Sequence, residues 1–78
     1  MTNTEKYGNC FIEIFGVKEE QLPNLAYQSV TEWDSVGHMS LMAELEDVFE
    51  IMLDMDDIID FSDYKKGMEL LGKYDVEF

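Results

Sequence analysis

Residues 32–39 read Glu-Trp-Asp-Ser-Val-Gly-His-Met, and the pattern that follows predicts an amphipathic helix beginning within this stretch. Ser and Asp are favoured N-cap residues, so Ser35 is first interpreted as a side chain that closes the first turn of that helix. A second interpretation is that Ser35 lies where an anion is stabilised, because a helix N-terminus carries free backbone N–H groups and the positive end of the helix dipole. Taken alone, the stretch favours the capping role.

A period of about 100° per residue predicts that this helix runs from about Ser35 to Met52 and has two distinct faces. Its inward face is predicted to carry large apolar side chains, with His38 and Met42 at the edge. The members of this inward face are Leu41, Leu45, Val48, Phe49 and Met52. The opposite face, here called the outer strip, begins apolar and continues acidic: Val36, Met39, Ala43, Glu46, Asp47 and Glu50. Such a strip is typical of a docking surface, although single exposed hydrophobic residues are also ordinary.

A capping box and a glycine bound the predicted first helix. Thr2 and Glu5 have the capping-box spacing, and Gly16 is a natural helix end. Between them, apolar residues at helical spacing predict an inward stripe: Tyr7, Cys10, Phe11, Ile14 and Phe15. Residues 17–33 show no period and are predicted to form a long loop with a short helical turn near residues 19–21. Its scattered apolar residues are expected to reach back to the core: Leu22, Leu25, Tyr27 and Val30.

The C-terminal third is predicted to hold a short acidic helix and a longer last helix. Residues 54–61 give one or two helical turns, with inward side chains Ile58, Ile59 and Phe61. Ser62 or Asp63 is predicted to cap the last helix, which ends near Gly72. The inward stripe of this helix is Tyr64, Met68 and Leu71, and Gly67 indicates either a tight helix contact or simple tolerance. Residues 1–78 are therefore predicted to form a single all-α domain.

The charge of the chain is strongly one-sided, because 18 Asp and Glu residues oppose five Lys residues and give a net charge of −13. Such a field repels nucleic acid and anionic membrane surfaces and favours protein partners with basic patches. Apolar residues make up 46% of the chain, which argues against disorder. No apolar run reaches the ~20 residues that span a bilayer, no leader is visible, and a single Cys fits a reducing compartment. We therefore expect a cytoplasmic protein.

Most enzyme and metal-site chemistry is missing from the sequence. The acidic segment does not fit an EF-hand, because Ile59 stands where the loop needs Gly and Lys65 where it needs Glu. No Cys/His cluster is present, so no metal site is predicted. Ser35 and His38 form the most enzyme-like pair, but His38 falls at the core edge of the helix and no oxyanion site is visible. We expect no catalytic activity, and we expect Cys10 to be a buried hydrophobe.

The stretch Trp33–Met39, together with the helix that follows it, resembles the prosthetic-group site of acyl carrier proteins. In that family an Asp-Ser-Leu motif opens the second helix, and the serine carries 4′-phosphopantetheine. The positions after the motif that share the likeness are Leu41, Leu45, Glu46 and Phe49. The likeness covers essentially the whole chain, including a first helix that ends at Phe15-Gly16-Val17. It implies a small four-helix bundle with three longer helices, a short third helix and a long loop between helices I and II.

The resemblance implies a carrier function. A phosphopantetheinyl transferase would move 4′-phosphopantetheine from coenzyme A onto Ser35, making the chain a phosphoprotein. The thiol of this arm would hold acyl intermediates of fatty acid, polyketide or specialised biosynthesis as thioesters, while the carrier catalyses nothing. Asp34 matches the aspartate before the serine, and Val36 stands where Leu is usual. The positions with which family members dock on basic patches of loading ligases and downstream acyl-processing enzymes match five residues of the outer strip: Val36, Met39, Ala43, Glu46 and Asp47. A monomer is expected.

Two positions depart from the family pattern, and two further functions remain open. Ala43 replaces a commonly larger apolar residue, and Ser40 stands where many members have an acid, so the accepted partners could differ. An aminoacyl or peptidyl carrier, including the D-alanyl type, is an alternative because the loading enzyme chooses the cargo. From a different class, an unmodified acidic helical adaptor would bind a basic partner through the outer strip.

Overall fold

The first helix, α1 (Asn3–Phe15), is bounded by the two signals that the sequence predicts. The Thr2 hydroxyl accepts a hydrogen bond from the Glu5 amide, and the Glu5 carboxylate accepts one from the Thr2 amide, which completes the capping box. Gly16 ends the helix in the left-handed conformation, with φ 68°, and its N–H donates to the Ile12 carbonyl. The computed structural model describes residues 1–78 and contains five helices and no strands.

The segment between α1 and the central helix is braced by its own contacts. It contains a 3₁₀ helix at Glu19–Asn24, where the sequence predicts a helical turn. Leu22 and Leu25 are buried, as predicted, whereas Tyr27 remains exposed. The Leu25 carbonyl accepts a hydrogen bond from the Tyr64 amide, and the Tyr27 amide donates to the Ser62 carbonyl. These bonds tie the segment to the start of the last helix and so fix the chain that leads to Ser35.

The central helix, α2 (Ser35–Phe49), is three residues shorter than predicted. Glu50 adopts a left-handed conformation, with φ 54°, and this turns the chain away from the helix axis. The prediction that Met52 points inward is wrong, because the helix ends before it and Met52 is 86% exposed. Leu41 and Leu45 are buried, as is Met42, which was placed only at the edge of the inward face.

Two helices complete the chain, α3 (Met55–Asp60) and α4 (Tyr64–Gly72). Asp63, not Ser62, caps α4, and its carboxylate accepts a hydrogen bond of 2.6 Å from the Lys66 amide. The prediction that Ile59 points inward is wrong, since Ile59 is 71% exposed. Ile58, which precedes it in α3, is half-buried, and Phe61, directly after α3, is buried; neighbouring residues in a helix point about 100° apart, so Ile59 faces away from the core.

The core is an aromatic cluster that α1, the central helix and α4 enclose. Its largest rings are Tyr7, Phe11, Phe15, Trp33, Phe61 and Tyr64. Trp33 stacks on Phe15 with ring centroids 5.1 Å apart. Gly67 makes the tight contact that the sequence allowed, because a Cβ atom there would overlap the Tyr7 hydroxyl and the Phe61 ring. The radius of gyration is 11.2 Å, close to the ~11.5 Å expected of a compact domain of this length.

None of the five helices combines the length and the apolar character that crossing a membrane requires.

Candidate functional site

The first turn of α2 is capped by Asp34, not by Ser35. Asp34 is in an extended conformation, and its Oδ1 accepts a hydrogen bond of 2.8 Å from the Gly37 amide. Its backbone carbonyl also accepts from the His38 amide. The first interpretation of Ser35 as the N-cap is therefore wrong: the aspartate fills that role, and Ser35 is the first residue inside the helix.

The Ser35 hydroxyl group takes no part in holding the structure together. The side chain is exposed and makes no hydrogen bond within the protein. The backbone N–H groups of Ser35 and Val36 also donate no hydrogen bond to the protein. They belong to the set of donors that every helix N-terminus leaves without an intrahelical partner. The site thus offers a nucleophilic oxygen and two neighbouring backbone donors on the surface.

Gly37 lets the chain fold back against the start of α2. A Cβ atom at this position would overlap the Glu32 carbonyl oxygen and would lie 3.2 Å from the Phe15 ring. Any larger residue would therefore push the segment before Ser35 away from the helix. This requirement was missed from the sequence, where Gly37 sits in an otherwise regular helical pattern and carries no positive φ.

His38 links the site to two other parts of the structure. The Trp33 indole Nε1–H donates to His38 Nδ1 at 2.9 Å, and His38 Nε2 lies 2.7 Å from the Ile58 carbonyl oxygen. The indole nitrogen is only a donor, so Nδ1 must be the accepting nitrogen and Nε2 must carry the proton. The prediction that His38 lies at the core edge of the helix is confirmed, since the ring is half-buried and Nε2 meets a backbone carbonyl. Because both ring nitrogens are engaged, neither is available to accept a proton from Ser35.

An apolar groove of about 340 Å³ opens beside Ser35. It lies between α2 and α3, and its walls are mainly apolar, with hydroxyl groups from Ser35, Ser62 and Tyr27. The apolar and aromatic lining consists of Tyr27, Met39, Met55, Ile58, Ile59 and Phe61, and His38 also lines the groove. No carboxylate or lysine lines it. The sequence predicted neither the groove nor the contributions of Met55 and Ile59, because these depend on how α3 packs beside α2.

Comparisons with models of protein families, with curated proteins and with solved structures find no match for this chain.

The outer strip is mostly exposed, and two of its members also have structural roles. Val36 is 75% exposed and Met39 is 52% exposed, and Ala43 and Asp47 are also exposed. Glu46 is half-buried, and its Oε2 accepts a hydrogen bond of 2.9 Å from the Leu53 amide, which holds the turn after α2. Glu50 is the left-handed residue that ends the helix.

Exposed apolar residues also occur outside the outer strip. Met55 and Ile59 of α3 are exposed across the groove from Met39, and Met52 is exposed in the turn between the two helices. Met39, Met55 and Ile59 line the groove directly, whereas Val36 and Met52 are exposed outside its lining. A helical wheel of α2 alone could not find Met55 and Ile59, since they belong to a different element.

Other reactive groups lie away from the site. Cys10 is buried, and burial, followed by the nearby Glu44 and Glu13 carboxylates, raises the pKa of its thiol to about 12. The acidic side chains of α3 do not gather into a metal site, and no group of three or more His, Cys, Asp or Glu residues is placed to hold a metal ion. Asp57, the one largely buried carboxylate, instead accepts hydrogen bonds from Lys73 at 2.6 Å and Tyr74 at 2.5 Å.

Proposed function

We propose that this chain is a standalone acyl carrier protein, a small four-helix bundle in which Ser35 carries 4′-phosphopantetheine. The observation that supports this most directly is that Asp34 and Ser35 have different roles at the start of α2. Asp34 caps the helix, so the exposed Ser35 hydroxyl is left without a structural partner at the mouth of an apolar groove. A serine needed only as a cap would not be arranged in this way.

The residues around Ser35 fit the prosthetic group. A phosphodiester on Ser35 would lie at the N-terminus of α2, where the free N–H groups of Ser35 and Val36 and the helix dipole favour negative charge. The groove beside the serine offers an apolar wall for the arm or its cargo. When bound, the group supplies a thiol at the end of a long arm, which holds acyl groups as thioesters. Cys10 cannot substitute for that thiol, since it is buried and its raised pKa keeps it protonated.

The groove favours an acyl cargo over an aminoacyl one. An aminoacyl thioester carries an ammonium group, which needs a carboxylate or several acceptors when it leaves water. The groove lining contains no carboxylate, and the His38 nitrogens are already engaged. An apolar acyl chain would instead cover Met39, Met55 and Ile59, which are exposed without it.

Partner enzymes would be recognised by the surface beside the serine. Val36 and Met39 offer exposed apolar contacts, and Ala43, Glu46, Asp47 and Glu50 extend the surface with mostly acidic side chains. The net charge of −13 would steer the carrier toward the basic patches of a transferase, of a loading ligase and of downstream enzymes in the cytoplasm. The protein itself would act as a monomer without catalytic activity.

Intact-mass measurement after incubation with a broad-specificity phosphopantetheinyl transferase, coenzyme A and Mg²⁺ tests the proposal. The wild type is expected to gain the mass of one phosphopantetheine group, and Ser35→Ala none. Ser40→Ala is the matched control, because Ser40 is a second exposed serine on α2, and it is expected to be modified like the wild type. A wild type that gains no mass would overturn the carrier function and leave the adaptor.

A further inference from the structure

The Ile58 carbonyl lies in the last turn of α3 and has no backbone partner. Because α3 ends at Asp60, the amide four residues after Ile58 is no longer in the helix. No backbone N–H donates to the Ile58 carbonyl oxygen. The Nε2–H of His38 donates to this oxygen instead, with Nε2 2.7 Å from it. This is the single hydrogen bond between α2 and α3.

The other side-chain hydrogen bonds of α3 and of its N-cap Asp54 are made with residues at the end of α4. Asp57 accepts hydrogen bonds from Lys73 and Tyr74, and the Tyr74 hydroxyl accepts from the Asp54 amide. These bonds hold the N-terminal half of α3 to the end of α4, and none of them joins α3 to α2. The distance between α2 and α3 is the width of the groove, since α2 supplies one wall and α3 the other.

The second nitrogen of His38 is held by the buried indole of Trp33, which is 0% exposed. The imidazole plane is nearly parallel to that indole, with an angle of 15°, and the Tyr27 and Phe61 rings contact it edge-on. No carboxylate oxygen lies within 4.0 Å of either ring nitrogen. The ring therefore has a defined orientation, and its Nε2–H points at α3 because the indole fixes the opposite nitrogen as acceptor.

We propose that His38 is a positioning residue that sets the width of the groove beside Ser35 by anchoring α3 to the indole of Trp33. The hydrogen bond from Trp33 orients the imidazole ring of His38, and the ring then donates its own hydrogen bond to the Ile58 carbonyl. The consequence for cargo rests on the proposed carrier function, whereas the anchoring of α3 is a property of the unmodified protein.

Two variants of similar shape each remove one of the two hydrogen bonds of His38 and keep the other. In His38→Gln, the side-chain amide nitrogen takes the place of Nε2, so donation to Ile58 is retained and the indole loses its acceptor. In His38→Asn, the side-chain oxygen takes the place of Nδ1, so the indole keeps its acceptor and the side chain is too short to reach Ile58. His38→Ala loses both bonds.

Amide hydrogen exchange of the unmodified protein provides the first measurement. The amides of Ile58 and Phe61 each donate within or at the end of α3, with bonds of 3.0 Å, and report on its opening. We expect exchange about tenfold faster at both amides in His38→Asn and His38→Ala than in the wild type, and nearly normal exchange in His38→Gln. The Gly67 amide of α4 is the internal control and should be unchanged. The NMR resonance of the Trp33 indole proton should move in His38→Gln and stay in His38→Asn.

Reactivity of a loaded thioester provides the second measurement. Each protein is loaded on Ser35 with an octanoyl-phosphopantetheine arm, and the rate of thioester cleavage by hydroxylamine is followed by mass. We expect the thioester to be cleaved several-fold faster in His38→Asn than in His38→Gln. Without the bond to Ile58, α3 is not held at a fixed distance from α2, and the groove covers the octanoyl chain less well. Equal α3 exchange in the Asn and Gln variants would overturn the positioning role, even if Ser35 is loaded normally. Failure of loading in the wild type would overturn the carrier function and leave the exchange result valid.

Discussion

Replacing Asp34 and Ser35 separately by Ala distinguishes a structural serine from a serine kept free for modification. The Asp34 carboxylate accepts the Gly37 amide at 2.8 Å, and losing an N-cap of this kind costs about 1 kcal/mol, within a range of about 0.5 to 2. For a domain of this size, about 1 kcal/mol corresponds to a fall of about 4–8 °C in Tm. The Ser35 hydroxyl makes no hydrogen bond, so its removal should change stability by less than about 0.5 kcal/mol.

Thermal melts followed by far-UV circular dichroism measure both effects, with urea denaturation as a second estimate of the free energy of unfolding. Asp34→Asn is the control for charge, because it keeps an oxygen in the capping position and should retain most of the stability of the wild type. The reasoning is refuted if Ser35→Ala lowers Tm as much as Asp34→Ala, since Ser35 would then be holding the helix start itself.

Three further predictions concern packing, protonation and salt. Gly67→Ala should lower the free energy of unfolding measured in urea by about 3 kcal/mol, because its Cβ meets the Tyr7 hydroxyl and the Phe61 ring, whereas Gly72→Ala, with open space around it, should not. A hydrogen bond with Glu13 raises the pKa of Glu44 above 4.5, so this pair adds stability in acid that is lost as the pH rises through the raised pKa. Glu44→Gln should therefore melt higher than the wild type at neutral pH, and a gain that persists in acid would contradict this. Added salt should raise the Tm of the wild type, since it screens the repulsion within a chain of net charge −13.

The helix boundaries that could be predicted are those with a local signal. The Thr2 capping box, the left-handed Gly16 and the Asp63 cap each act within one turn, so the sequence contains everything needed to find them. The end of α2 has no such signal: Glu50 takes the left-handed conformation without being Gly or Asn. The apolar run after it, residues 51–53, continues a helical pattern, and this is why the predicted helix was too long.

The site was predictable only in part, for a related reason. The position of Ser35 at the start of α2 follows from the sequence, but the identity of its cap required a choice between adjacent residues that both have capping propensity. The groove and the bond from His38 to the Ile58 carbonyl arise from residues about 20 positions apart on different helices. Hydrophobic periodicity describes one helix at a time, so it cannot show which side chains two helices bring together.

The position of Trp33 makes its intrinsic fluorescence a reporter of changes near Ser35. Trp33 is the single tryptophan of the chain, it lies two residues before Ser35, and it is fully buried in contact with the imidazole of His38. An indole in such a dry environment emits at shorter wavelength than one in water, and its quantum yield responds to the hydrogen bond at its nitrogen. The proposed opening of α3, and the proposed modification of Ser35, should therefore change the intrinsic fluorescence of Trp33, which can be followed without a label.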